Sequence, residues 1–173
     1  MQIRQTNQEF NIDKHPTFEK DIDLKQRAWI EVKGKALETN VRQLRSKLTK
    51  NCQFMAVVKA DGYGHDAKVV SDYAIKGGAS QLGVATLKEG IKLRSSGINK
   101  PILILGNLYT KRDLIISFKN DLMPTISSLR ECLICNNIGK HFGLKFSLHL
   151  KIDTGMSRLG FESNEFVQQF EKI

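Results

Sequence analysis

The sequence predicts an α/β protein with a parallel sheet, on two observations. Short apolar segments alternate along the chain with longer segments whose apolar residues recur at helical spacing. Each apolar segment is followed by one such helical segment, which is the pattern of βα units and parallel strands. The length of 173 residues is enough for one domain with a substantial core and is short for two.

The elements follow one another regularly after an opening strand at 27–33, where apolar and polar residues alternate. Core strands are predicted at 53–58, 81–86, 101–105, 122–126 and 144–153. Helices are predicted at 36–48, 67–78, 87–97, 110–120 and 128–139. The helix 67–78 ends in two glycines, which favour the left-handed conformation that closes many helices.

The five core strands, each followed by a helix or the next loop, fit more than one parallel-sheet fold, and the sequence favours one of them. No GxGxxG follows the first core strand, so a dinucleotide-binding fold lacks its fingerprint. A (β/α)8 TIM barrel has eight such units in about 250 residues. We therefore predict that 25–173 form a partial (β/α)8 barrel of about the first five βα units. Residues 1–24 are polar and lack periodicity, which predicts a loosely ordered extension.

Composition and charge exclude several function classes. The net charge is +9, but lysines and arginines are spread along the chain without a dense basic block, so no nucleic-acid partner is expected. No apolar run approaches the ~20 residues of a membrane helix, and the first residues lack the apolar core of a secretion signal. A cytoplasmic protein without a membrane partner is expected.

The three cysteines do not indicate a disulfide framework, since their number is odd and no secretion signal precedes them. Cys132 and Cys135 form a Cys-x-x-Cys on one face of a predicted helix. No second Cys or His pair completes a zinc site, so no metal is expected. We expect both thiols to behave as buried, small hydrophobic side chains.

The segment "MAVVKADGYGHD" (55–66) is the first candidate site. Lys59 follows the first core strand, and the carboxyl ends of parallel strands carry the chemistry of βα folds. An apolar surrounding would desolvate this amine and disfavour its charged form, which would make it nucleophilic and able to form a Schiff base. The alternative is a solvated lysine at a strand end. Tyr63 could offer a hydroxyl to a phosphate, and His65 is expected to hydrogen-bond within the loop.

The segment "HLKIDTGMSRLGF" (149–161) is the second candidate site. Lys151, Asp153 and Arg158 crowd the end of the fifth core strand, with glycines shaping the loop. Arginine is suited to bidentate binding of a carboxylate. The same composition would also fit a salt-bridged turn.

Together, "AVVKADGYGH" and "KIDTGMSRLGF", about 90 residues apart, resemble the motifs of alanine racemase, a barrel-type enzyme that uses pyridoxal 5′-phosphate (PLP). The stretches "RAWIEVKGKALETNVRQLRSKL" and "LGVATLKEGIKLRSSGINKPILILGN" are similar to the same family. The resemblance covers 27–161.

The resemblance implies a role for each matching residue. Lys59 would be the Schiff-base lysine that holds PLP and the base on the D-alanine face of the substrate Cα. Tyr63 would lie near the cofactor phosphate, and Arg158 would bind substrate. Lys151 matches a lysine that is carbamylated in some members and orients that arginine. Ser157 stands where the family often has glycine.

The implied activity is PLP-dependent interconversion of L-alanine and D-alanine, which supplies D-alanine for the peptidoglycan of the cell wall. In the family the second base is a tyrosine from a C-terminal β domain of the partner subunit in a homodimer. Nothing in the 173 residues matches that domain, so we expect this chain to be an N-terminal fragment. The alternatives are a non-catalytic PLP-binding or partner-binding remnant, and a serine or broad-specificity amino-acid racemase.

Overall fold

The computed structural model describes residues 3–6 and 28–170. The chain divides into two compact units, Met1–Ser80 and Gln81–Ile173. Most of the predicted extension at 1–24, and its boundary with the barrel segment, lie outside the described residues. Within that extension, Ile3–Thr6 forms strand β1.

The first unit combines two short strands with packed helices. β1 pairs in parallel with β2 (Ile30–Lys33), with Ile3 opposite Ile30. The unit continues with α1 (Gly34–Ser46), β3 (Met55–Val57), the short segment α2 (Lys59–Tyr63) and α3 (Ala67–Gly77).

The helices α1 and α3 pack against each other around Tyr73. Tyr73 is buried with Val32 and Val69, and Leu37 covers this group. A Cβ atom on Gly34 would overlap the Tyr73 ring, so the close approach of the helix start to the ring requires glycine there. This packing fixes the elements on both sides of the first motif.

The second unit is a regular βα alternation. Its elements are β4 (Gln81–Val84), α4 (Leu87–Ser95), β5 (Ile102–Asn107), α5 (Lys111–Lys119), β6 (Met123–Ile126), α6 (Leu129–Phe142), β7 (His149–Leu150), β8 (Ile152–Asp153), β9 (Phe161–Glu162) and α7 (Ser163–Phe170). The strands β4 to β7 pair in parallel, in chain order, and β8 pairs with β9.

The local sequence explains where these strands and helices begin. The strands β4, β5 and β6 are largely apolar and buried, as is typical of the central strands of a parallel sheet. Thr86, Thr110 and Ser128 each cap the helix that follows, their hydroxyls accepting a backbone N–H from the first turn. At α4 the Glu89 carboxylate also accepts the N–H of Thr86, which completes a capping box.

The α/β class with parallel strands is confirmed, and each predicted core strand overlaps an observed strand, β5 extending two residues beyond its predicted end to Asn107. The single strand predicted at 144–153 is wrong as a continuous element, because regular pairing begins only at His149 and is interrupted at Lys151. There the Lys151 N–H donates to the Ile126 carbonyl, while the Lys151 carbonyl accepts from Phe161. Lys151 therefore bonds to two different partners at this position, which hydropathy along one segment does not reveal.

Candidate active site

Lys59 lies two residues after the end of β3, directly before a tight turn. Val58, immediately before it, is completely buried. The Lys59 side chain is half-buried, and within the described residues no hydrogen bond or ion pair holds its ammonium group. The amine is thus partly sheltered from water, and among the described residues no carboxylate is paired with it.

The residues after Lys59, which belong to a predicted loop, form a left-handed turn. Ala60, Asp61, Gly62, Tyr63 and Gly64 all have φ between 51° and 81°. The Gly64 N–H donates to the Ala60 carbonyl at 3.1 Å, which closes the turn. Left-handed backbone costs a residue with a Cβ about 1–2 kcal/mol, so neighbouring contacts must stabilise this conformation.

Polar contacts with the start of α3 hold the turn. The Asp61 carboxylate accepts the Ala67 N–H at 3.3 Å, and Asp66 caps α3 by accepting the Val69 N–H at 2.9 Å. His65 Nδ1 lies 3.0 Å from the Tyr63 carbonyl oxygen, so its predicted role as a hydrogen-bonding residue of this segment is confirmed. The turn leaves the Tyr63 side chain 59% exposed. Its proposed contact with a phosphate stays a prediction.

The second motif forms a loop between β8 and β9. Lys151, half-buried, stands just before β8, and its carbonyl accepts the Phe161 N–H at 2.8 Å. The register of β8 and β9 then places Ile152 beside Phe161. Residues 154–160 are therefore a closed loop whose two ends are held together by the backbone.

Asp153 holds the first part of this loop through its carboxylate. One carboxylate oxygen, Oδ1, accepts the backbone N–H of Gly155 at 2.9 Å and of Ser157 at 3.0 Å. These backbone donors hold the pKa of the Asp153 carboxyl below its usual value, with Gly155 the largest cause and Ser157 the next. Within the described residues, Asp153 bonds to backbone amides and not to a cation, so a salt-bridged turn is not what forms.

Arg158 is presented at the surface of this loop, beside an open pocket. The pocket has a volume of about 450 Å³, and its lining includes Arg158, Glu162 and Ser163. In the part of the chain that the structure describes, no hydrogen bond or ion pair joins Lys151 to Arg158. Two cationic side chains repel each other, so such a contact would need the carbamylation that the resemblance implies. That modification stays a prediction.

Ser157 has a φ of 55°, in the region that glycine adopts most readily. The glycine that the resemblance leads us to expect at this position would adopt such a φ without strain. The serine is tolerated because its own N–H is held by Asp153.

One polar cluster was not anticipated from the sequence. Asn107, at the end of β5, donates through Nδ2 to Ser127 Oγ and, at 3.5 Å, to a carboxylate oxygen of Glu131. Glu131 also accepts the Ser127 N–H at 2.7 Å. The signal that could have found it was a polar residue at the end of one apolar strand, in "LILGN", and directly after the next, in "TIS".

The other expectations about sites concern metals, membranes and the cysteines. Cys132 and Cys135 are both buried on α6, as predicted. Among the described residues, no group of three His, Cys, Asp or Glu side chains is placed to hold a metal ion. None of the helices described is long and apolar enough to cross a membrane.

Comparison with known proteins identifies the family. The family model for the N-terminal domain of alanine racemase matches residues 32–173. The chain belongs to the alanine racemase family. An alanine racemase of Prochlorococcus marinus is 48% identical over 155 residues, which are 88% of this chain and 40% of that protein. One from Nostoc is 46% identical over 153 residues, 86% of this chain and 40% of the relative.

Solved structures agree with the sequence matches. An alanine racemase of Clostridium difficile has a TM-score of 0.71 at 36% identity, covering 80% of this chain and 36% of that one. The enzyme of E. faecalis has a TM-score of 0.76 at 33% identity, covering 82% and 38%. The prediction of the N-terminal part of an alanine racemase barrel is thus confirmed. The chain spans 40% of the length of the relatives from Prochlorococcus marinus and Nostoc.

Proposed function

We propose that this chain supplies the PLP-binding part, including one of the two bases, of a racemase that interconverts L-alanine and D-alanine. The observation that carries the proposal is Lys59, a half-buried amine at the end of β3, in a chain of the alanine racemase family. The product would be D-alanine, which would be made in the cytoplasm and used for peptidoglycan.

The residues of the first motif fit an aldehyde cofactor with a phosphate. PLP needs a primary amine that is accessible and not already paired, and Lys59 meets both conditions within the described residues. Tyr63 follows Lys59 by four residues and its side chain is exposed, which supports a contact between its hydroxyl and a phosphate oxygen. When bound, PLP would make the Cα proton of an amino acid acidic by accepting the negative charge left on Cα.

The chain's own residues would bind the substrate and move one proton. The Lys59 amine would remove the proton from Cα, or return it, on the D-alanine face. The Arg158 guanidinium would bind and orient the substrate, whose carboxylate suits its planar fork. Lys151, if carbamylated, would become anionic and could orient Arg158. Racemisation also needs an acid–base group on the opposite face, and the family resemblance assigns that group to a tyrosine of the partner subunit in a homodimer.

A second candidate is a racemase of different or broader amino-acid specificity. It is favoured by one observation: a histidine racemase of Leuconostoc mesenteroides has a TM-score of 0.72 at 26% identity, over 81% of this chain. The roles proposed for Lys59 and Arg158 concern the Cα proton and the carboxylate, which alanine shares with larger amino acids. Competition among alanine, serine and histidine in the same assay would distinguish the two candidates.

The first test is borohydride reduction of the PLP-treated chain, followed by mass spectrometry of the peptide that contains Lys59. A pyridoxyl label is expected on Lys59, and it should vanish in Lys59→Ala. Lys50→Ala, which removes an exposed lysine outside the motif, is the matched control and should label normally.

The second test is racemisation of L-alanine by chain preparations that take up the label. Activity that is lost in Lys59→Ala supports the full proposal. Labelling without racemisation would favour a cofactor-binding role that lacks the second base. Absence of any label on folded protein would contradict the proposal at its first step.

A further inference from the structure

We propose that Asp153 is a positioning residue that sets the placement of Arg158 by holding the backbone of the loop between them. This inference rests on the proposed role of Arg158 in binding substrate. It assigns to Asp153 a part in recognition that acts through the loop, without contact to the substrate itself.

The need for such a residue follows from the surroundings of Arg158. Its side chain is exposed, and no hydrogen bond or ion pair restrains it among the residues the structure describes. Nothing attached to the guanidinium therefore fixes where it points. The position of Arg158 depends on the path of the backbone that carries it, and that path is set by the contacts of 154–160.

Those contacts converge on one oxygen atom. Asp153 Oδ1 accepts the N–H of Gly155 and of Ser157, the residue directly before Arg158. Ser157 has a φ of 55°, a left-handed conformation that is unfavourable for a residue with a Cβ, and Gly155 has a φ of 132°, a conformation used almost only by glycine. Neither conformation is favoured in an unrestrained chain. Hydrogen bonds to an ionised carboxylate are stronger than those between neutral groups, so Asp153 is suited to stabilise them.

The far end of the loop is fixed separately. Phe161 donates to the Lys151 carbonyl, and Asp153 pairs in register with Glu162. Loss of the Asp153 carboxylate would therefore release the segment 155–158 while its two ends stay joined. Because the strands at the two ends would stay paired, loss of the carboxylate should change the position of Arg158 without unfolding β8 and β9.

The experiment compares Asp153→Ala with Asp153→Asn, because asparagine keeps one oxygen that can accept the same two N–H groups. Thr154→Ala, an exposed change in the same loop, is the control. The first readout is the rate at which trypsin cuts the native chain after Arg158. We expect Asp153→Ala to raise this rate about fivefold or more, with Asp153→Asn and Thr154→Ala close to the original chain.

The second readout is the alanine concentration that gives a half-maximal change in the visible spectrum of the PLP-loaded chain. Asp153→Ala should raise it at least about fivefold, with the spectrum at saturating alanine unchanged, because binding weakens while the amine is intact. Asp153→Asn should largely restore it. Faster cleavage with no change in this concentration would overturn the inference, and so would equal cleavage of all variants.

The two proposals fail in different ways. If the original chain shows no PLP spectrum or no response to alanine, the proposed function fails and the substrate part of this inference fails with it. If the original chain responds and Asp153→Ala responds identically, only the role of Asp153 is overturned.

Discussion

Gly160 lies directly against the backbone of Asp153: a Cβ atom at position 160 would come within 2.5 Å of the Asp153 nitrogen. Gly160 also has a φ of 132°, which residues with a Cβ rarely adopt. Gly160→Ala should therefore lower the free energy of unfolding by about 2–4 kcal/mol through strain and overlap. Denaturant titration followed by circular dichroism would measure this.

Gly155→Ala is the matched control for this change. Gly155 has the same φ of 132°, but an added Cβ would meet no atom within 4 Å. The control therefore carries the strain of the backbone without the overlap, and its loss of stability should be about half or less of that of Gly160→Ala. An equal decrease in the free energy of unfolding for both variants would show that overlap with the Asp153 backbone does not contribute to the effect of Gly160→Ala.

The first motif allows a similar comparison at Gly62 and Gly64. Both have left-handed φ, 65° and 81°, but a Cβ on Gly62 would lie 2.9 Å from the Val70 methyl group while one on Gly64 would meet nothing within 4 Å. Gly62→Ala should push α2 away from α3 and cost about 2–3 kcal/mol of stability, whereas Gly64→Ala should cost about 1 kcal/mol. Denaturant titration of both variants beside the original chain would measure the difference.

The same pair tests whether the turn places Lys59. Gly62→Ala is expected to slow pyridoxyl labelling of Lys59 in the folded protein, and Gly64→Ala to leave it nearly unchanged. Unchanged labelling in Gly62→Ala, despite reduced stability, would mean that Lys59 reacts independently of the turn that follows it.

The alternation of strands and helices was predictable because the buried strands are almost purely apolar. Within "PILIL", the residues 102–104 form the buried part of β5, and Thr86, Thr110 and Ser128 stand where α4, α5 and α6 begin. Here composition, capping and burial agree, so the local sequence was sufficient. Boundaries shifted by a few residues, as at α6, which continues to Phe142.

The candidate sites were predictable as segments and not as geometry. Lys59 and Arg158 could be placed at strand ends from the order of elements. The left-handed turn after Lys59 could not, since Ala60 and Tyr63 have no preference for positive φ. That conformation is stabilised by contacts with α3. The hydrogen bonds of Asp153 likewise depend on the path of a loop whose ends are joined by the pairing of β8 with β9.

Arg94 joins two turns of the second unit. Its guanidinium donates to the carbonyls of Ile98 and Lys100 after α4 and of Asn120 and Asp121 after α5. The ion pair with the Asp121 carboxylate contributes little, because that side chain is 95% exposed. The carbonyl contacts should dominate.

Arg94→Lys should lower the free energy of unfolding by about 2 kcal/mol, since an ammonium group cannot reach four carbonyls in two turns at once. Arg112→Lys, at an exposed position of α5, is the control and should change stability by less than about 0.5 kcal/mol. Full stability in Arg94→Lys, measured by thermal or chemical unfolding, would contradict the importance of these carbonyl contacts.

The buried thiols of α6 give a prediction about reactivity. Burial raises the pKa of the Cys135 thiol from 9.0 to about 11, and nearby Cys132 and Glu131 add to the shift. The pKa of Cys132 is raised as well, again chiefly by burial. Because the thiolate is the reactive form, both should resist a thiol reagent at about pH 8, whereas the exposed Cys52 should react.

Counting modified thiols in native and unfolded protein measures this directly. One thiol should react quickly in the native chain and all three in guanidinium, and Cys52→Ser should abolish the fast reaction. Rapid native modification of Cys132 or Cys135 would mean that α6 opens readily.

The raised pKa of Cys135 also makes the stability of the fold depend on pH. The neutral thiol is favoured in the folded state, so its stabilisation is complete below pH 9.0 and is lost as the pH rises towards about 11. Unfolding at increasing pH should therefore become easier over that interval, and Cys135→Ala should reduce this dependence.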